Sequence, residues 1–118
     1  REFLYVEDLA KAVLFILEKV SSNNDLLFKE ISNFSGIINI GTGKDISIKE
    51  LAEMISEEIG YKGKILWDLS KPDGTPRKVL DISKASRIGW EPKTSLNKGI
   101  KLTINSFIKE LENDSIRL

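Results

Sequence analysis

The chain has no cysteine and no histidine among its 118 residues. Without cysteine there can be no disulfide and no thiolate nucleophile. Without histidine a Ser-His-Asp relay cannot be built, and zinc sites made from His or Cys are excluded with it. Any general base would have to be a carboxylate, a lysine or a tyrosine. Charge of one sign is not in excess either, since 18 Lys and Arg balance 18 Asp and Glu. No global field draws the chain to nucleic acid or to an acidic membrane, and neither is expected as a partner. Long hydrophobic runs are missing as well. None reaches the roughly 18 residues of a membrane span, and no signal peptide opens the chain, so a cytoplasmic location is the default expectation. Proline is scarce, and two of the three prolines fall in one loop.

What remains is the composition of a foldable chain, with 41% hydrophobic and 31% charged residues. The length suits one domain or a piece of one. Arg1 opens the chain in the middle of a patterned segment, without methionine, as expected of a portion of something longer.

Residues 1–6 are extended and apolar. Leu9, Ala10, Val13, Leu14, Leu17 and Val20 then recur at three- and four-residue spacing, which predicts a helix with one apolar stripe. Glu7 and Asp8 sit at its start, where the helix dipole favours negative charge. Residues 21–35 are rich in Ser and Asn and read as a loop, with Leu26, Leu27, Phe28 and Ile31 able to form a helical turn. Residues 37–40 form a short β-prone run ended by Gly41-Thr42-Gly43. Ser47 and Glu50 make an S-x-x-E capping box for a second helix. Its inner face is Ile48, Leu51, Ala52, Ile55 and Ile59, and its stop is Gly60. Residues 64–68 read as another strand. Asp81 can cap a short helix ending at Gly89, and Ser95 caps a last one carrying Leu96, Ile100, Ile104, Phe107, Ile108 and Leu111. This alternation predicts an α/β fold with a few short parallel strands and about four helices.

Two glycine and tyrosine motifs fail when checked residue by residue. Gly41-Thr42-Gly43 has Ile46 where a dinucleotide fingerprint needs its third glycine. Its natural role is a tight turn. The Tyr-x-x-x-Lys pair of short-chain dehydrogenases is also missing, because Leu9 stands four residues after Tyr5 and Ile65 four after Tyr61. No catalytic residue and no metal site is therefore assigned. Asn33-Phe34-Ser35 and Asn113-Asp114-Ser115 match a glycosylation sequon by chance. Trp67 and Trp90 are read as structural, and Glu57 and Glu58 as a solvated face.

The loop Lys71-Pro72-Asp73-Gly74-Thr75-Pro76-Arg77-Lys78 carries the most information. Proline fixes φ and glycine permits turns, so the segment is neither a helix nor a central strand. It presents one acid and several cations on a rigid frame. A ligand with hydroxyls at one end and phosphates at the other, such as a nucleotide sugar, suits it. An ordinary surface turn with solvated charges suits it too.

Four blocks together give a resemblance. They are Arg1-Glu2-Phe3-Leu4-Tyr5-Val6-Glu7-Asp8-Leu9-Ala10, then Asn39-Ile40-Gly41-Thr42-Gly43 with Ser47-Ile48-Lys49-Glu50-Leu51-Ala52, then Lys71 to Lys78 running on to Leu80-Asp81, and finally Gly89-Trp90-Glu91-Pro92-Lys93-Thr94-Ser95-Leu96. In this order they resemble the C-terminal part of extended short-chain dehydrogenases that act on nucleotide sugars. The third block resembles the GDP-L-fucose synthases in particular. The loop at 21–35 is longer than usual there, and another aromatic often stands at the position of Trp67.

The resemblance implies a fold, an activity and a set of site residues. Such enzymes epimerise GDP-4-dehydro-6-deoxy-D-mannose at C3 and C5 and reduce it at C4 with NADPH. Their cofactor fingerprint and catalytic groups lie in an N-terminal Rossmann portion, so this chain would bind no cofactor and be inactive alone. Residues 1–43 would pack with that portion, and 44–118 would form the small substrate domain. Arg1 matches the arginine used on the substrate diphosphate, and Asp73 matches an aspartate that contacts the nucleotide. Lys78 and Arg77 are added as phosphate partners on their chemistry. The expected partners are a GDP-sugar and the Rossmann portion. The parent is expected to be a homodimer, and the separate chain to self-associate through its uncovered apolar surface. Two alternatives stay open: another enzyme of the same superfamily acting on a nucleoside-diphosphate sugar, and a stand-alone binding module without catalysis.

Overall fold

The computed structural model describes residues 1–21 and 37–113. The Ser/Asn-rich loop with its expected turn, the Asn33 sequon and the last residues of the Asn113 sequon lie outside that range. Within it are four helices: α1 (Val6–Ser21), α2 (Ile48–Glu58), α3 (Ser83–Arg87) and α4 (Leu96–Glu112). About four helices were expected, and each stands where its sequence pattern places it.

The parallel strands are not seen among the described residues. The only β pairing there is one antiparallel bridge, Glu2 with Asp45. Reciprocal backbone hydrogen bonds between Arg1 and Ile46 extend it, at 2.6 and 2.9 Å. An apolar run such as 37–40 or 64–68 signals a β-prone backbone, but a strand exists only where a second chain segment supplies the ladder. Neither run has such a neighbour among the described residues. Trp67 accordingly projects from an unpaired, exposed segment.

Helix ends follow local chemistry closely. Ser47 Oγ accepts from the Glu50 N–H while the Glu50 carboxylate accepts from the Ser47 N–H, closing the capping box of α2. At its other end Gly60 takes φ +67, and the Gly60 and Tyr61 N–H groups return to Glu57 and Ser56. α3 ends in the same way on Gly89, whose φ is +91, with Trp90 N–H donating to the Ala85 carbonyl. Both are Schellman stops that need a residue tolerant of positive φ. Asp81 acts one position earlier than expected. Its carboxylate accepts from Ser83 N–H at 2.9 Å, while Ile82 occupies the cap position.

The core is small. Ala12, Ala85 and Trp90 are buried together, with Leu4, Phe15, Ile38 and Ile40 packed against them. α1 therefore turns Asp8, Ala12 and Phe15 inward. Its predicted stripe is the exposed side: Leu9, Val13, Leu14 and Leu17 are 45–59% accessible. The faces of α2 and α4 meet only partly. No residue of α2 is fully buried, and Phe107, Ile108 and Leu111 of α4 are exposed. Helical period identifies these faces as apolar, but it cannot say which neighbour covers them.

One buried carboxylate ties the layers together. Asp8 accepts from the N–H groups of Lys93 and Thr94 at 2.9 and 2.7 Å, and from Thr94 Oγ1 at 3.1 Å. It thus fixes the entry to α4 against the first turn of α1. Nearby, Gly99 on α4 lets the Tyr5 side chain lie close, its Cβ only 3.4 Å from where a methyl group would stand.

Candidate functional site

Arg1 stands between two cavities. The larger, about 720 Å³, lies between Arg1, the turn Asp45 to Ile48, and the loop residues Asp73 to Arg77. The smaller, about 310 Å³, is lined by Arg1, Glu2, Gly41, Lys78 and Leu80. Both sides of the Pro/Gly loop thus meet the first residue of the chain. Arg1 Nη1 donates to the Thr75 carbonyl at 2.5 Å, and Gly74 leaves room for the guanidinium beside it. This contact, across 74 positions of sequence, brings Arg1 and Asp73 to one cavity.

Arg77 behaves differently from the other predicted cations. Its Nε and Nη2 donate to both carboxylate oxygens of Asp45, at 2.6 and 3.0 Å. The Asp45 carboxyl is held below its ordinary range chiefly by the hydrogen bond from Arg77, with slight desolvation opposing. The pair neutralises Arg77 and pins the end of the loop to the turn before α2. Arg1, in contrast, faces a carbonyl, and Lys78 makes no ion pair among the described residues. Arg1 and Lys78 are therefore the two cations left for an anion, and they share the smaller cavity.

Glu2 is a residue that sequence reasoning passed over. Its Oε1 accepts from the N–H groups of Thr42 and Gly43 at 2.5 and 2.7 Å, and from Thr42 Oγ1 at 3.2 Å. Its Oε2 accepts from Leu80 N–H at 2.7 Å. Desolvation pushes this carboxyl up, but the hydrogen bonds from Leu80, Gly43 and Thr42 outweigh it and leave it below the ordinary glutamate range. Gly41 makes the approach possible, because a Cβ there would stand 2.3 Å from Glu2 Oε1. The Gly-Thr-Gly turn is thus an anion nest filled by the chain's own carboxylate.

Over 115 residues the chain is 43% identical to GDP-L-fucose synthase 1 of Arabidopsis thaliana, covering 96% of this chain and 31% of that protein. With the GDP-L-fucose synthase of Escherichia coli K12 it is 39% identical over 109 residues, covering 92% of this chain and 33% of that one.

The chain is homologous to part of the GDP-L-fucose synthases.

It spans about a third of the length of these curated relatives. A solved structure named DdhaC superimposes on the whole chain with a TM-score of 0.72 and 39% identity, again over 31% of the larger protein. No family model matches the chain.

A dinucleotide cofactor needs backbone N–H groups free to bind its phosphates. In the Gly41–Gly43 turn the Thr42 and Gly43 N–H groups are both taken by Glu2. These two groups are therefore not free for a phosphate. Among the described residues no group of three or more Asp, Glu, His or Cys side chains could hold a metal ion, and no helix is long and apolar enough to cross a membrane. Of the four predicted site residues, Arg1, Asp73 and Arg77 line the larger cavity, and Lys78 joins Arg1 in the smaller one. Asp45 gave no sequence signal because its partner stands 32 residues away. Glu2 was visible only as a member of the first resemblance block.

Proposed function

We propose that this chain is the substrate-side portion of an enzyme of the GDP-L-fucose synthase type. In this reading the whole enzyme converts GDP-4-dehydro-6-deoxy-D-mannose to GDP-L-fucose with NADPH, as an oxidoreductase that also epimerises. Its Rossmann portion, its cofactor site and its acid–base groups lie outside residues 1–118. The chain's own part is recognition. Arg1 and Lys78 hold the diphosphate, and Asp73 accepts from hydroxyls or base N–H groups of the nucleoside in the larger cavity. Arg77 is withdrawn from the phosphate set, since Asp45 already occupies it.

The observation that carries this reading is the meeting of Arg1 with the Asp73-Gly74-Thr75 turn at one cavity. A guanidinium beside a rigid turn with one carboxylate matches the two ends of a nucleoside diphosphate. Binding energy gathered at these remote groups can be used to hold the sugar in position for chemistry elsewhere. α1 supports the same reading, because its exposed leucine and valine side suits a covering domain.

Calorimetric titration with GDP, UDP and dTDP tests the proposal. GDP should bind most tightly, and Arg1→Ala or Lys78→Ala should each weaken it by about tenfold or more, as expected for loss of a charge-assisted hydrogen bond. Equal affinity for all three nucleotides would redirect the reading to a different nucleotide sugar. GDP binding indifferent to both substitutions would remove it.

A further inference from the structure

The two free cations of the smaller cavity come from segments far apart in sequence. Arg1 opens the chain and Lys78 ends the Pro/Gly loop. One side chain connects both segments. Glu2 is covalently next to Arg1, and its Oε2 holds Leu80 N–H, two residues beyond Lys78, at 2.7 Å. Its other oxygen is anchored in the Gly41–Gly43 turn by three donors. Arg1, Glu2, Gly41, Lys78 and Leu80 border the same cavity of about 310 Å³. A carboxylate with four donors from two loops cannot rotate without breaking several charge-assisted bonds. Nor can it be replaced by an isosteric amide, which would point its own N–H groups at N–H donors on one side.

We propose that Glu2 is a positioning residue that sets the spacing between Arg1 and Lys78, and hence selects a diphosphate. This rests on the reading of Arg1 and Lys78 as the phosphate partners. Glu2 does not touch the ligand in this account. Its carboxylate fills the nest that a phosphate would otherwise enter, and it delivers the anion instead to the two cations outside.

The test measures three probes on the same protein: GDP, inorganic pyrophosphate and guanosine. Glu2→Gln should weaken GDP and pyrophosphate about tenfold or more, while guanosine binding stays within twofold. In the Lys78→Ala background, Glu2→Gln should add little further loss, because the partner it positions is already gone. Should Glu2→Gln fold poorly, Glu2→Asp gives the same comparison. It keeps the charge but shortens the arm by one methylene, so it cannot reach both loops, and pyrophosphate should again weaken selectively. Wild-type pyrophosphate affinity in Glu2→Gln or Glu2→Asp overturns the inference alone. Equal loss of guanosine and pyrophosphate also overturns it, since that marks a general structural role. If Arg1→Ala and Lys78→Ala leave GDP and pyrophosphate binding unchanged, the functional reading fails and takes this inference with it.

Discussion

The carboxylate of Asp8, in the first turn of α1, accepts from the backbone N–H of Thr94, 86 residues further along the chain, at 2.7 Å. The same group takes Lys93 N–H and the Thr94 hydroxyl, so three donors converge on a side chain that is only 2% accessible. Buried carboxylates survive only when satisfied in this way.

Substitution of Asp8 should therefore be among the most damaging single changes. Asp8→Asn leaves at most one good acceptor and places an amide N–H against backbone N–H groups. The expected loss is about 2–4 kcal/mol, the range for breaking a buried charged network. Desolvation raises the Asp8 carboxyl, and the bonds from Thr94 and Lys93 more than offset this, so its folded value lies below the ordinary 3.8. A depressed carboxylate adds stability that is complete above its unfolded value and lost as pH falls through the folded one. Thermal melts from neutral pH to below 3.8 should thus drop more steeply in the wild type than in Asp8→Asn. Parallel curves would contradict the assignment.

Glycine substitutions separate steric from conformational cost. Gly41→Ala places a methyl group 2.3 Å from Glu2 Oε1 and 3.1 Å from Leu80 Cδ1, which the Glu2 network cannot accommodate without moving. The expected loss is about 2 kcal/mol or more. Gly60→Ala meets nothing within 4 Å and suffers only from φ +67, at about 1–2 kcal/mol. Urea denaturation of both variants checks the order, and a milder Gly41→Ala would mean that Glu2 is free to retreat.

Sequence reasoning succeeded where cause and effect are neighbours. Ser47 and Glu50 are three residues apart, and Gly60 and Gly89 act on the turns they end, so α2 and α3 were legible with their stops. It failed where the partner is distant. Nothing near Gly41 announces Glu2, and nothing near Arg77 announces Asp45, although those pairings decide which cations remain for a ligand. α1 shows an intermediate case. The period of Leu9, Val13 and Leu17 revealed a helix, yet the side facing the core is Asp8, Ala12 and Phe15. A polar residue led the buried face because its bonds to Lys93 and Thr94 lie outside any local window. Resemblance supplied Arg1 and Asp73, which spacing alone could not.

The exposed side of α1 predicts association. Leu14 and Leu17 are 59% and 57% accessible, and Val6, Leu9 and Val13 lie along the same helix. Apolar patches of this kind seldom remain free in concentrated solution. Sedimentation velocity should show the chain self-associating as its concentration rises. The double substitution Leu14→Glu and Leu17→Glu should return it to a monomer without loss of helix content. A wild type that stays monomeric, with a concentration-independent melt, would contradict the prediction.

Among Arg1, Arg77 and Lys78, the structure predicts a ranking for GDP. Arg77 has its Nε and Nη2 on Asp45, and that hydrogen bond raises its already high proton affinity. Removing it frees an Asp45 carboxylate at the cavity and loosens the loop end, but removes no unpaired positive charge. Arg77→Ala should weaken GDP only through the freed Asp45 carboxylate and a looser loop end, by about threefold or less. Arg1→Ala and Lys78→Ala remove cations that no carboxylate among the described residues neutralises, and each should cost about tenfold or more. Asp45→Asn offers a second view of the same pair. It leaves Arg77 without its counter-ion beside the cavity, so GDP affinity should be kept or improved and should depend more steeply on salt. An Arg77→Ala loss as large as that of Arg1→Ala would mean that Arg77 leaves Asp45 for the phosphate when ligand arrives.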